Sequence, residues 1–165
     1  MKLSFLTAAI MLLLTLTQSC GRQCPEFVGY DFDGFSVALP TREPVKHSEQ
    51  GQDGAISSVS AEVDGGKYLV VYWDLPMYLR GISDEQILES MSLGAGAWKA
   101  IKQDNVTIAG MPGKEIEGET ATGKHMLTRM LRTKDRVYLL TVGGDKTFST
   151  TTAIKRFFNS FRVSS

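Results

Sequence analysis

The sequence predicts an α+β fold: a mostly antiparallel sheet of about seven or eight strands covered by two helices. Three features of the chain predict it. Segments of period-two alternation are joined by short Gly-rich turns, the pattern of antiparallel hairpins. Two stretches, after Ser83 and after Thr147, instead place apolar residues at helical spacing. The run YLVVYW, Tyr68 to Trp73, is apolar on both faces, as a central strand covered on both sides should be.

The first 19 of the 165 residues read as an export signal. Lys2 supplies positive charge, Phe5 to Leu16 (FLTAAIMLLLTL) an apolar core, and Thr17-Gln18-Ser19 the segment a peptidase reads. A bilayer-spanning helix needs about 20 apolar residues, and this core is shorter. An uncleaved anchor over Leu3 to Gly21 is the alternative. Cys20 and Cys24, the only cysteines, follow directly. Three readings of Cys20 stand side by side. It receives a lipid, it closes a small disulfide with Cys24, or cleavage falls elsewhere and neither thiol matters. The segment LTQSCG resembles a bacterial lipobox in its small Ser19 and in Gly21, and departs from one at Thr17 and Gln18. Residues 20–33 read as a tether, and 34–165 as one domain.

In that domain Phe35, Val37 and Leu39 alternate with Ser36 and Ala38, and Pro40 closes the strand. Residues 41–54 are polar and turn-rich, with one short edge strand around Val45–Ser48. Residues 55–63 put Ser57, Val59, Ala61 and Val63 on one face. Asp64-Gly65-Gly66 then turns into Tyr68–Trp73. Ser83 and Gln86 form a capping box for a helix with Ile87, Met91, Ala95 and Trp98 on its apolar stripe. A short strand at 104–109 and the turn Gly110–Gly113 follow. Residues 114–120 and 124–133 make a hairpin through Ala121-Thr122-Gly123. Centred on Thr122, it sets Glu115 opposite Arg129 and Glu119 opposite His125; a slip of one residue would substitute Met130 and Met126. Arg136–Val142 is a further strand. Thr147–Phe161 is an amphipathic helix burying Ala153, Ile154, Phe157, Phe158 and Phe161.

Charge is balanced, with 18 Lys+Arg against 18 Asp+Glu, but unevenly placed. Residues 20–120 carry 8 basic and 16 acidic side chains, and residues 121–165 carry 9 and 2. Because the basic residues interleave with apolar ones in strand and helix patterns, the two halves should neutralise each other on folding. With an export signal and no excess positive charge, no nucleic-acid partner is expected.

Little chemistry is visible. His47 and His125 sit in no cluster with metal-ligand spacing. No G-x-S-x-G elbow occurs, and Leu93-Gly94-Ala95-Gly96 lies inside a helical pattern rather than in a phosphate loop. Glu115, Glu117 and Glu119 form a carboxylate row that suits solvent and basic neighbours better than acid–base catalysis, with weak calcium binding as its alternative. Tyr68, Tyr72, Trp73 and Trp98 fit core packing better than a binding cleft. No cofactor, metal site or catalytic residue is expected.

The order and spacing of five short signatures resemble the PsbP-like superfamily, which includes DcrB-type bacterial envelope proteins. They are GFSVALP at 34–40, Tyr68–Trp73 with Asp74, AGMPG at 109–113, DRVYLLTV at 135–142 and FFNSF at 157–161. The resemblance spans about residues 34–163. It implies a sheet-and-helix scaffold that docks to partners and shares no catalytic residues. The expectation is therefore an exported bacterial envelope protein, periplasmic or anchored through a lipid on Cys20, that contacts an unidentified envelope partner without catalysing a reaction. A protein binding a small molecule or ion in a cleft beside the Ser83 helix is the second reading, and an enzyme the third.

Overall fold

Where alternation and turns agree, strands form as the sequence predicts. The computed structural model describes residues 26–51, 54–63, 65–83, 86, 98–145 and 152–164. Strands β3 (Val45–Gly51), β4 (Gly54–Val63), β5 (Gly66–Asp74), β6 (Trp98–Ile108), β7 (Met111–Thr120), β8 (His125–Arg132) and β9 (Arg136–Gly144) build one sheet. Its order is β3-β4-β5-β9-β8-β7-β6. Strands β1 (Val28–Phe32), β2 (Phe35–Leu39) and β10 (Arg162–Val163) form a second sheet in the order β1-β2-β10. Every pairing is antiparallel. Helix α1 (Thr152–Ser160) and the small sheet cover one face of the large one.

The core lies between these layers. Phe35, Val37 and Leu39 of β2 and Ile154, Phe157 and Phe158 of α1 pack against Val59, Tyr68, Val70, Tyr138, Leu140 and Val142 of the large sheet. Leu75, Met130, Val137 and Leu139 form a smaller cluster on the opposite face, flanked by Val71, Trp73 and Ile82. β9, the middle strand, is buried on both sides from Val137 to Leu140, more completely than β5. In β4, Val59 and Ala61 are buried and Ser57 and Val63 half-buried, so the predicted face points inward. The β7–β8 hairpin takes the charged register, with Glu115 opposite Arg129 and Glu119 opposite His125. The alternative slip would have turned Leu127 and Leu131 out of the core.

Several expectations need correction. The stretch read as a tether, residues 20–33, contains β1: Val28, Tyr30 and Phe32 pair along β2, and Asp33-Gly34 makes the turn. Trp98 opens β6 rather than closing a helical stripe, and β6 runs to Ile108 instead of starting at Asp104. A register shift between Ala100 and Lys102 breaks its period of two and leaves Ile101 57% exposed, which hides the strand from a pattern reading. The edge strand at Val45 is longer than expected, reaching Gly51. The C-terminal helix spans Thr152–Ser160, and Phe161, although buried, follows it. Of the helix expected after Ser83, the described part is the capping box. The Ser83 amide donates to Gln86 Oε1 at 2.9 Å, and the Gln86 amide donates to Ser83 Oγ at 3.2 Å. Ile87, Met91 and Ala95 lie outside the described residues, as do Cys20, Cys24 and the beginning of the predicted Thr147 helix.

The β6–β7 turn holds a backbone oddity. Ile108 pairs with Met111, so two residues make the turn, with φ of +49° at Ala109 and +82° at Gly110. Two-residue hairpins use this left-handed geometry because it matches strand twist, and they favour Asn-Gly. Alanine pays a steric penalty there that asparagine largely avoids. Ala109→Asn is expected to raise stability by about 0.5–1 kcal/mol. A melting temperature no higher than wild type would show that the turn is unstrained.

Candidate functional site

The helix-covered face of the large sheet becomes charged toward the β6 edge. β7 presents Glu115, Glu117 and Glu119 there, and the registers put Arg129 and His125 of β8 on one side and Asp104, Lys102 and Lys99 of β6 on the other. Arg129 Nε donates to Glu115 Oε2 at 2.7 Å, both side chains being 23% exposed. The guanidinium lies 4.5 Å from the centre of the Phe158 ring. Lys102 Nζ bonds Asp104 Oδ2 at 2.6 Å. That hydrogen bond and the Asp104 charge hold the ammonium above its ordinary pKa, against a smaller opposing effect of desolvation. Each carboxylate of the row therefore has a cation across the strand. That is a neutralised ladder rather than an acid–base pair.

The histidines stay apart. His47 lies on the exposed edge strand β3 opposite Ser58, and His125 lies on β8. Both His125 ring nitrogens are buried and lack a hydrogen-bond partner among the described residues. No group of three His, Cys, Asp or Glu side chains there could hold a metal ion. Of the four aromatics, Tyr68 is fully buried in the core. Tyr72 packs on Phe35 with centroids 5.0 Å apart, and Trp73 is half-buried against the opposite-face cluster. The side chain of Trp98 lies outside the described residues.

Arg136, which the sequence reading passed over as an ordinary strand residue, ties the two sheets together. Its Nε donates to Asp74 Oδ1 at 2.6 Å, and its terminal nitrogens donate to Asp33 O at 2.6 Å and Asp33 Oδ2 at 3.0 Å. Beside it, the Tyr138 hydroxyl donates to Gly34 O at 3.1 Å, and burial pushes that phenol above its ordinary pKa. Gly34 has φ +82°, and a Cβ there would sit 2.5 Å from an Arg136 nitrogen, so only glycine allows this approach. Asp33 and Asp74 come from the acidic part of the chain and Arg136 from the basic part, as do Glu115 and Arg129. These are the contacts through which the uneven charges neutralise.

Two recesses open on the helix-covered side. One, of about 310 Å³, lies between Phe32 of the small sheet and Lys46, Ser48, Ser57 and Tyr72. The other, of about 480 Å³, lies between the β6–β7 turn and the C-terminal end of α1. Thr107, Gly110, Arg129, Asn159 and Arg162 line it. On the opposite face one end is apolar. Ile56 pairs with Trp73, and the 3-10 turn Met77–Leu79 follows just beyond β5. Ile56 is 49% exposed and Val45 of the edge strand, on the same face, 66%, while Met77 and Tyr78 in the turn are 82% and 66% exposed. Apart from Trp73, which the sequence assigns to core packing, the residues of this patch carry no signal in the sequence. An isolated surface apolar residue carries no signal until the register shows its neighbours.

The structure therefore belongs to the class of mostly antiparallel sheets covered on one face by a helix and a small second sheet. It is a PsbP-like fold. Cyanobacterial PsbP (CyanoP) from Synechocystis sp. PCC 6803, in solution, superposes with a TM-score of 0.59 over 87% of this chain and 96% of that one, at 12% identity. Identity that low transfers fold alone. A Pseudomonas aeruginosa protein of unknown function, PA94, superposes at a TM-score of 0.35 and 10% identity over 74% of this chain and 85% of its own. No family model and no curated protein matches the chain.

Proposed function

We propose that the protein is an exported bacterial envelope protein, anchored through a lipid on Cys20, that docks to another envelope protein without catalysing a reaction. The observation that carries the docking is the apolar end of the open sheet face. Exposed Ile56 pairs with half-buried Trp73, and the 3-10 turn that follows β5 leaves Met77 and Tyr78 exposed, apolar surface of the kind found at protein contact sites. The neutralised carboxylate ladder and the separated histidines support the absence of an enzymatic role. The segment after Ser83 is read as a second covering helix, supported by its capping box.

Anchoring and docking are tested together. Intact-mass measurement of the membrane fraction should find an acylated N-terminus in wild type and none in Cys20→Ser, which should also leave the membrane pellet. Unmodified protein in both would refute the anchor. Pull-down from solubilised membranes should recover a stoichiometric partner, reduced about tenfold or more by the pair Ile56→Ser and Tyr78→Ser, consistent with losing about 1.4 kcal/mol or more of contact. Equal recovery with the double variant would move docking off this face.

A further inference from the structure

The 480 Å³ recess beside α1 has the chemistry of an anion site. Arg129 is held in place by two contacts: Nε donates its hydrogen to Glu115, and the centre of the Phe158 ring lies 4.5 Å from the guanidinium carbon. Its terminal nitrogens have no protein partner among the described residues, and the side chain lines the recess. Arg162 is fixed as well, one terminal nitrogen donating to Asn159 O at 2.7 Å and to Phe161 O at 2.6 Å. Its other nitrogens carry no partner among the described residues. Thr107, Asn159 and the Ala109-Gly110 turn complete the lining. A guanidinium fork whose plane is already fixed loses little freedom on binding a carboxylate, and two parallel N–H donors give direction as well as strength.

We propose that this recess receives a carboxylate side chain from an acidic protein segment, held between the free edges of Arg129 and Arg162. Charge favours one carboxylate over a doubly charged phosphate. The two arginines and Glu115 leave the recess a single net positive charge, which one carboxylate neutralises. The recess volume suits a short stretch of chain rather than a large cofactor. The proposal rests on the docking reading and supplies a second, polar contact on the face opposite the apolar patch.

The test titrates ¹⁵N-labelled full-length protein in detergent with N-acetyl-tetraglutamate, with the matched tetraglutamine peptide and with inorganic phosphate. Shifts should concentrate at the amides of Gly110, Asn159 and Arg162 with tetraglutamate, be absent with tetraglutamine and be weaker with phosphate. Arg162→Gln, at an exposed position, should keep the wild-type melting temperature and bind about tenfold or more weakly. Arg129→Lys, which keeps the charge beside Glu115 and removes the fork, should weaken binding while preserving the fold. Equal affinity in wild type and Arg162→Gln, or shifts centred elsewhere, would overturn the assignment. Tighter binding of phosphate at the same amides would overturn the carboxylate. If tetraglutamate fails to bind while membrane pull-down still depends on Ile56 and Tyr78, the recess assignment falls and the docking reading stands. If both fail, both fall.

Discussion

Phe35→Ala is expected to destabilise the protein by about 3–5 kcal/mol, the range for deleting a buried ring. Phe35 is fully buried, and its ring joins four neighbours from separate parts of the chain. Phe32 lies 5.0 Å away, Tyr72 5.0 Å, Tyr138 5.7 Å and Phe161 5.7 Å between centroids. Those neighbours belong to β1, β5, β9 and the residue after α1, so one substitution opens a cavity where the small sheet, the large sheet and the end of the helix meet. A domain of this size has only about 5–15 kcal/mol of stability in total, so the variant should melt on the order of 10–15 °C lower. Phe35→Leu, which fills most of the volume, should lose only about 1–1.5 kcal/mol. Denaturant titration of the two variants measures this directly. A loss under about 1 kcal/mol for Phe35→Ala would mean that the small sheet does not share the main core.

Arg136→Met is expected to remove about 2 kcal/mol. The side chain is 17% exposed, but its partners Asp33 and Asp74 are 83% and 74% exposed, so each ion pair alone contributes modestly. The hydrogen bond to Asp33 O and the packing over Tyr72, 5.6 Å away, raise the total. Methionine retains most of the apolar stem and discards the donors, which isolates the polar share. The hydrogen bond to Asp74 is the main reason the guanidinium is held charged so firmly, so alkaline pH cannot mimic the substitution. Amide exchange should quicken in β1 and β2 and stay slow in β9. Uniform acceleration would show that Arg136 supports the whole domain rather than the seam between sheets.

The legible parts of the sequence were those where a single period persisted between clear turns. β4, β5 and β9 follow from their alternation, and the β7–β8 register follows from pairing Glu115 with Arg129. β1 was hidden by its neighbourhood, although Val28, Tyr30 and Phe32 alternate and Asp33-Gly34 is a strong hairpin signal. Two residues sufficed for β10 because Arg162 and Val163 only extend β2, and no sequence period exists at that length. β6 was obscured by its bulge. The recess formed by Arg129 and Arg162 could not be read from sequence, because 33 positions separate them and the chain brings them together only when α1 lies across the sheet.

The early start of the folded part has a geometric consequence. Phe27 already packs edge-on against Tyr68, 5.9 Å between ring centres, beneath the Arg156 guanidinium. Seven steps of chain separate it from Cys20, and fully extended they reach about 25 Å. A molecule moored to the bilayer at that cysteine could not roam the periplasm. Under the proposed anchoring, a docking partner would have to stand within the length of that tether plus the breadth of the domain from the same leaflet, most simply a neighbour embedded in or lying upon it.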